Sequence, residues 1–286
     1  MSRILVTGAA GFLGRPLVMK LRSAGHQVTE TDVPQGDITL EETLNPFLEK
    51  KIEHVFHLAG KTFVPESWQR PFGFYHVNVL GTVNVLEFCR KTGAGLTYVS
   101  SYLYGQPDYL PIDETHPVKA YNPYSHSKVE AENICRFFAE AYGLKILILR
   151  PFNAYGPGQS SRFIIPDIIE MTLNPHLPVV EVVDLRPRRD YIFVDDLVDA
   201  FLKTLQAQPG IYNLGSGYSV SVEEIISLAS DLTGIKKEYR ARGPERTNEI
   251  FDLYADVSKA GKELNWSPET SFKTGLETCI RSFSKH

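Results

Sequence analysis

Cysteine is scarce. The 286 residues contain three, Cys89, Cys135 and Cys279. Their odd number and wide separation exclude a disulfide framework and a cysteine metal site. They read as buried free thiols of a reducing compartment. Long apolar runs are also missing; none approaches the roughly 20 residues of a membrane span. Neither sign of charge dominates. Lys and Arg total 30 and Asp and Glu 34, a formal net charge of −4. That excludes the basic excess of a nucleic-acid surface; the densest basic cluster is Arg186, Arg188 and Arg189. The chain has no internal repeat and no low-complexity linker. Met1-Ser2-Arg3 leads straight into an apolar strand, leaving no room for a signal peptide. The expectation is a cytoplasmic protein with no nucleic-acid or membrane partner and no metal. Asn265-Trp266-Ser267 is then a chance glycosylation sequon.

What is present is an ordinary globular composition, 43% hydrophobic and 22% charged. The length suits one large domain, or a main domain with a smaller lobe. Short apolar runs alternate with amphipathic segments. "RILVTG" (3–8), "HQVTETD" (26–32), "HVFHLAG" (54–60), "LTYVSS" (96–101) and "KILILRPFN" (145–153) read as strands. Residues 12–24, 40–50, 76–91 and 124–142 read as the helices between them. Ile134, Phe137, Phe138 and Ala141 are the expected inward face of the last one. This order predicts an α/β fold, a Rossmann-like doubly wound parallel sheet.

After Arg150 the pattern loosens. Residues 153–166 read as a loop leading to a short helix at 164–172. Residues 188–205 read as a strand and then a helix capped by Asp195. A strand and turn follow at 210–217, then a helix at 221–234 with a Ser221/Glu224 capping box and a closing Gly234. These pieces predict a smaller C-terminal substrate-binding lobe over the carboxyl ends of the strands. The expected division is 1–152 plus about 189–214 for the main domain, and about 153–188 with 215–286 for the lobe.

"TGAAGFLG" (7–14) joins the first strand to the first helix. Amides at a helix N-terminus attract a pyrophosphate, and glycine permits close backbone approach or positive φ. Gly8, Gly11 and Gly14 are each three apart, unlike G-x-G-x-x-G. Asp32 ends the next strand, eighteen residues past Gly14. A carboxylate there can accept the ribose hydroxyls of an adenosine and would repel a 2′-phosphate, which favours NAD over NADP. The competing reading is that Asp32 only begins a turn before Pro34 and Gly36. Asp37 is placed to receive the adenine amino group.

In "YNPYSHSK" (121–128), Tyr124 and Lys128 are four apart and share a helical face. Ser100 ends the fourth strand. A phenol has a pKa of about 10, too high for a base at neutral pH. A neighbouring ammonium and a cationic nicotinamide ring would favour the phenolate. Tyr124 then takes a proton from a sugar hydroxyl, Ser100 holds that oxygen, and Lys128 anchors the nicotinamide ribose. Y-x-x-x-K alone is weak and often marks a surface pair; the glycine loop, the acid and the strand-end serine give it weight.

With these motifs in order, the chain resembles an extended short-chain dehydrogenase/reductase of the nucleotide-sugar epimerase/dehydratase type. "TGAAGFLG" matches T-G-x-x-G-x-x-G, "HLAG" (57–60) resembles H-x-A-[AG], and "NVLGTVNVLE" (78–87) the N-V-x-G-T helix. "SSYLYG" (100–105), "YSHSK" (124–128), "RPFNAYGPGQ" (150–159), "RRDYIFVDDLVDA" (188–200) and "YNLGSG" (212–217) resemble the family's later segments. The resemblance implies cofactor contacts from Gly8, Gly11, Phe12, Leu13, Gly14, Asp32, Asp37, Ile38, Leu58, Ala59, Gly60, Tyr124, Lys128 and Pro151. It implies that Ser100, Tyr124 and Asn153 meet the substrate, and that Arg189 and Arg246 grip its pyrophosphate. Phe163 and Ile165 frame the nucleotide base or simply pack. Asn78 is expected to brace the helix and the catalytic strand. His57 and His126 are not assigned acid–base roles. A homodimer through the helices at 76–91 and 124–142 is implied as well.

Members of this family share hydride transfer at a sugar carbon, commonly C4. Its dehydratases carry Asp-Glu directly after the catalytic Ser or Thr; Ser101 and Tyr102 stand there in this chain. That disfavours dehydration. A UDP-, dTDP- or GDP-sugar 4-epimerase using NAD is the first reading. A 4-keto-6-deoxysugar reductase is the second, supported by the short stretch between Asp32 and Asp37 and by the resemblance of "RPFNAYGPGQSSRFIIPD" and "LRPRRDY" to GDP-4-keto-6-deoxymannose reductases. A non-catalytic NAD(P)-binding sensor fits poorly, because such proteins tend to lack the Tyr-Lys pair.

Overall fold

The computed structural model describes residues 1–33, 35–243 and 249–283. Strands β1 (Arg3–Thr7), β2 (Gln27–Thr31), β3 (His54–His57), β4 (Gly95–Val99) and β5 (Ile146–Pro151) alternate with helices. The helices are α1 (Gly14–Ser23), α2 (Val64–Gln69), α3 (Pro71–Tyr75), α4 (Gly81–Thr92) and α5 (Pro123–Tyr142). Beyond them come β6 (Asn153–Tyr155), α6 (Ile164–Leu173), β7 (Val179–Val182), β8 (Arg188–Arg189), β9 (Tyr191–Phe193) and α7 (Val194–Lys203). The chain continues through β10 (Gly210–Leu214), β11 (Val220–Ser221), α8 (Val222–Thr233), β12 (Glu238–Ala241), α9 (Ser258–Leu264) and α10 (Phe272–Phe283).

Six strands form one parallel sheet in the order β10-β5-β4-β3-β1-β2. Its inner strands are largely apolar on both sides because helices cover both, whereas the edge strand β2 is mostly polar. Ile4, Val6, Leu147 and Leu149 join the core under α1 and α7. Leu5, Val55, Leu96, Ile146 and Ile148 join the core under α4 and α5. The chain leaves β1 for β2 on one side and returns to β3 on the other, so the order reverses at β1. That is where open α/β sheets form a binding crevice. The expected doubly wound sheet is therefore present.

Four local expectations fail, each for a physical reason. Residues Glu41–Lys50 form a 3-10 helix rather than an α-helix; Pro46 inside it removes a donor that an α-helix would use. Residues 76–91 open with a π turn, His76–Leu80, and Leu80 is exposed. On α5, Phe137 is 59% exposed and Ala141 is also exposed. Ile134 and Phe138 do pack, partly buried, against the core, but the fully buried residues of α5 are Ser125, Ser127, Lys128, Ala131, Glu132 and Cys135, so polar side chains share the inward face with apolar ones. Asp195 is not a cap. Phe193 precedes α7, and Asp195 lies in the first helical turn, where a carboxylate still suits the dipole. The Ser221/Glu224 capping box is formed, with Gly234 closing α8 in the left-handed region.

Asp190 ties the C-terminal segments together. Buried between β8 and β9, its carboxylate accepts from Ser216 N, Ser216 Oγ, Gly217 N and Ala255 N. Its backbone carbonyl accepts from Asn153 N and Asn153 Nδ2. Asp190→Ala leaves those buried side-chain partners without an acceptor. It is expected to lower unfolding stability by roughly 3 kcal/mol, read as a lower urea midpoint with an unchanged slope.

Candidate functional site

The turn after β1 is built from close backbone contacts. Gly8 has φ +70°, and a Cβ added there would lie 2.7 Å from Ala59 N. A Cβ on Gly14 would lie 2.2 Å from Gly8 O. Gly11 N donates to Gly8 O at 3.1 Å, closing the turn in front of α1. Phe12 and Leu13 pack partly buried against the core. Asp32 Oδ2 accepts from Ala10 N at 2.7 Å and Oδ1 from Val33 N at 2.7 Å. Asp32 also opens a turn, its carbonyl accepting from Gln35 N and Gly36 N. The brace and the turn thus coexist. Asp37 is exposed; its Oδ1 accepts from Thr39 N and Thr39 Oγ1, which holds its carboxyl below the usual range. Ile38 is buried against Gly81. Leu58, Ala59 and Gly60 follow β3 directly, half-buried, and Pro151 ends β5. A turn that only glycine can fill, facing a helix N-terminus, fits a dinucleotide pyrophosphate.

The histidine left without a role is structural. His57 Nδ1 pairs with Thr7 Oγ1 at 2.7 Å and Nε2 with Thr82 Oγ1 at 3.1 Å. Burial pushes its pKa down to about 3, with Lys128 adding to the shift, so it is neutral. His126 faces outward from α5. Asn78 accepts from Lys61 N and donates to Ser127 Oγ; it braces the segment after β3 against α5, rather than the catalytic strand itself.

Ser100, Tyr124 and Lys128 meet at the carboxyl edge of β4. Lys128 Nζ donates to Val99 O at 2.8 Å and lies 4.9 Å from the centre of the Tyr98 ring. Ser100 N is fixed on Leu149 O at 2.8 Å. Its hydroxyl is buried and, among the described residues, finds no hydrogen-bond partner. A buried hydroxyl without a partner costs about 1–3 kcal/mol, which a bound oxygen would recover. Tyr124 packs edge-on against Phe74, ring centres 6.3 Å apart. Burial raises its phenol to about 12, partly offset by a hydrogen bond with Ser101. Burial lowers Lys128 to about 8. The protein alone thus leaves Tyr124 protonated, and added positive charge is needed to make it a base at neutral pH.

The remaining expected substrate residues lie beyond β5, with differing surroundings. Asn153 is half-buried; its Oδ1 accepts from the Tyr102 hydroxyl at 3.0 Å and its Nδ2 donates to Asp190 O. Arg189 is ion-paired with Glu249 and donates to the carbonyls of Arg188 and Ile250. Neither Asp190 nor Asp184 is its partner; Asp184 pairs with Arg186. Phe163 is half-buried and meets Phe63 edge-on at 6.1 Å, whereas Ile165 is 2% exposed, inside the core. Arg246 lies outside the described residues.

Sequence reasoning missed three neighbours. Tyr102 stacks on Phe152 and lies close enough to Arg189 for the guanidinium to counter the effect of burial on its phenol. Glu249 is 60 residues from Arg189, a separation that no local pattern reveals. Lys61, Glu66 and Arg162 form an ion chain, with Arg162 stacked 3.8 Å over Phe63, joining α2 to the loop before α6. A depression of about 590 Å³ between Arg3, Lys51, Glu53 and Lys91 lies apart from these groups, at the amino-terminal edge of the sheet.

Residues 4–215 match the model of the family described as "NAD dependent epimerase/dehydratase family". A putative UDP-glucose 4-epimerase of Methanocaldococcus jannaschii is 32% identical over 97% of both chains. A GDP-6-deoxy-D-mannose reductase of Pseudomonas aeruginosa is 31% identical over 97% of this chain and 96% of its own. Among solved structures, the Thermus thermophilus UDP-glucose 4-epimerase in complex with NAD superposes with a TM-score of 0.90, at 29% identity and 99% coverage of each chain.

Gly8→Ala forces a side chain into the backbone of Ala59 at a positive φ. NAD affinity measured by calorimetry is expected to fall at least about tenfold, the equivalent of some 1.4 kcal/mol, while the folded fraction stays high.

Proposed function

The chain belongs to the NAD-dependent epimerase/dehydratase family, and from that premise we propose that it is a nucleotide-sugar 4-epimerase. Its cofactor is NAD. The observation that carries the reading is the buried Ser100 hydroxyl, without a hydrogen-bond partner among the described residues, at the strand edge near Tyr124 and Lys128. Bound NAD supplies the hydride acceptor and a positive ring beside the phenol. Ser100 donates to or accepts from the C4 oxygen and fixes its direction. Tyr124 takes the proton from that oxygen and returns it. Lys128, protonated below its pKa of about 8, holds the nicotinamide ribose and favours the phenolate.

The glycine turn takes the pyrophosphate of the cofactor, with Ile38, Leu58, Ala59, Gly60 and Pro151 along its path. Asp32 takes the adenosine ribose and excludes a 2′-phosphate, and Asp37 receives the adenine amino group. Asn153 reads the sugar, Arg189 and Arg246 take the substrate diphosphate, and Phe163 borders its base. Ile165 supports Phe163 from the core. In this reading residues 1–152 with about 189–214 bind the cofactor, and the remainder binds the nucleotide sugar. Ser101 and Tyr102 lack the acid that elimination of water needs. A UDP-sugar is the preferred substrate class, since several relatives are named for UDP-sugars.

The second reading, a 4-keto-6-deoxysugar reductase, is favoured by the relative named GDP-6-deoxy-D-mannose reductase, which matches nearly end to end. A homodimer through α4 and α5 belongs to the same proposal, supported by Leu80, Phe137 and Tyr142, apolar side chains exposed there. No described helix is long and apolar enough to cross a membrane. The three cysteines are free and buried, which suits the cytoplasm.

Incubation with UDP-, dTDP- and GDP-sugars is expected to interconvert two hydroxyl epimers without added NADH. Turnover confined to 4-keto substrates, with stoichiometric NADH consumption, would replace the first reading by the second. Tyr124→Phe is expected to lose at least about a hundredfold in kcat, the scale of general acid–base catalysis, with NAD binding kept; full activity in that variant overturns the mechanism. Asp32→Ala is expected to admit NADP, seen as a narrowing of the NAD/NADP affinity ratio. Elution of the purified chain at the mass of one protomer, measured by light scattering, would remove the dimer.

A further inference from the structure

Two ionised side chains are buried beneath the site and have no part in the mechanism above. Glu132 and Arg150 have side chains 1% and 3% exposed. They form a two-pronged pair: Arg150 Nε donates to Glu132 Oε1 at 3.0 Å and Nη2 to Oε2 at 2.6 Å. Arg150 Nη1 donates to the Tyr104 hydroxyl, which donates to Asn213 Oδ1. Asn213 in turn donates to Ile112 O and, through its backbone, to Glu114 Oε1. Arg136 reaches Glu132 Oε2 from the rim at 3.6 Å. A buried pair of this kind usually contributes little to stability compared with apolar residues of the same volume. Its position suggests another use. Glu132 is one turn beyond Lys128 on the same inward stripe of α5, so the two side chains are neighbours.

We propose that Glu132, held in place by Arg150, is a positioning residue that keeps Lys128 charged at its post between the Val99 carbonyl and the Tyr98 ring. The proposal rests on the reading of Lys128 given above. Several groups face Lys128. Tyr124 and Cys135 lie on α5, Tyr98 on β4, His57 on β3, and Asn78 with the Gly60 backbone on the segments beyond β3. Burial pushes the Tyr98 phenol and the Cys135 thiol well up, Tyr124 up to about 12 and His57 down to about 3, so all four are neutral. Among the described residues facing Lys128, Glu132 therefore supplies the negative charge that opposes the desolvation of its ammonium. Arg150 answers the Glu132 carboxylate with two hydrogen bonds. A carboxylate left unpaired at that depth would take up a proton. The fork also aims both Glu132 oxygens at β5, so the pair supports Lys128 without drawing it away from β4.

Two measurements test this: the titration of Lys128 by NMR of 13Cε-labelled lysine, assigned with Lys128→Met, and the pH dependence of NAD affinity. Both are expected to have a midpoint of about 8 in the native chain, the charged form binding NAD more tightly. Glu132→Gln keeps the size and much of the hydrogen bonding but removes the charge; both midpoints are expected to fall by about one pH unit, a tenfold change in proton affinity. Glu132→Asp loosens the fork but leaves a carboxylate facing Arg150, so the charge is kept, and the midpoints are expected to stay within a few tenths of the native value. A purely structural residue would give the reverse, with Gln tolerated better than Asp. The double variant Glu132→Met with Arg150→Met leaves no unpaired buried charge; it is expected to fold and to show a fall in the same direction as Glu132→Gln but smaller, because the Arg150 cation goes with the carboxylate. Unmoved midpoints in folded Glu132→Gln or in the double variant overturn the proposal. The NMR titration needs no turnover. A failure of the epimerase reading would appear separately, as turnover confined to 4-keto substrates with stoichiometric NADH consumption.

Discussion

The carboxyl edge of this sheet depends on how closely two pieces of backbone lie together. The turn after β1 touches the segment after β3 with no room for a side chain at Gly8, and it folds on itself with none at Gly14. That contact brings the N-terminus of α1 up to the crevice and fixes the start of the 58–61 segment. From there Lys61 N reaches Asn78, and Asn78 reaches Ser127 on the helix that carries Tyr124 and Lys128. A few tenths of an ångström at one glycine are thus passed along hydrogen bonds to the groups that would do the chemistry. The turn's part in the structure is therefore not confined to the pyrophosphate site proposed for it. It sets the spacing between the two halves of the site.

Helix α5 illustrates a second constraint. A helix against a sheet ordinarily buries apolar residues. Here Lys128 and Glu132 occupy the buried stripe while Phe137 and Tyr142 stand outside. The polar stripe is tolerated because every charge on it is answered: Lys128 by a carbonyl and an aromatic face, Glu132 by a two-pronged arginine from β5. Removing one member would strand another at full desolvation cost, so these residues act as a group rather than as separate contacts.

The regular part of the fold was legible because it is local. Apolar runs marked β1, β3, β4 and β5, β-branched residues marked β2, and a glycine turn marked the first crossover. The Ser221/Glu224 cap announced α8. What was not legible depends on partners distant in sequence. The inward face of α5 cannot be read from hydrophobicity when the buried residues are Lys128 and Glu132 and their partners lie on β4 and β5. Residues 41–50 are helical as expected, but Pro46 inside them goes with a 3-10 rather than an α geometry. Asp195 looked like a cap by type; the strand β9 running directly into α7 left that place to Phe193. Ser100, Tyr124 and Lys128 could be grouped from spacing and strand ends, whereas Tyr102 against Asn153 and Glu249 against Arg189 needed the third dimension.

The Arg189–Glu249 pair also bears on how such a pocket resists the wrong guests. A lone guanidinium facing an open cleft would attract any small anion in the cell, and inorganic phosphate is abundant. Arg189 instead carries its own counter-ion, brought from a segment sixty residues away. An anion reaching it must exchange one charge-assisted bond for another, so a single phosphate gains little. A ligand prevails only if it brings further contacts elsewhere. If Arg189 takes the substrate diphosphate as proposed, the pair would work as a threshold, favouring long molecules held at several points over short ones held at one.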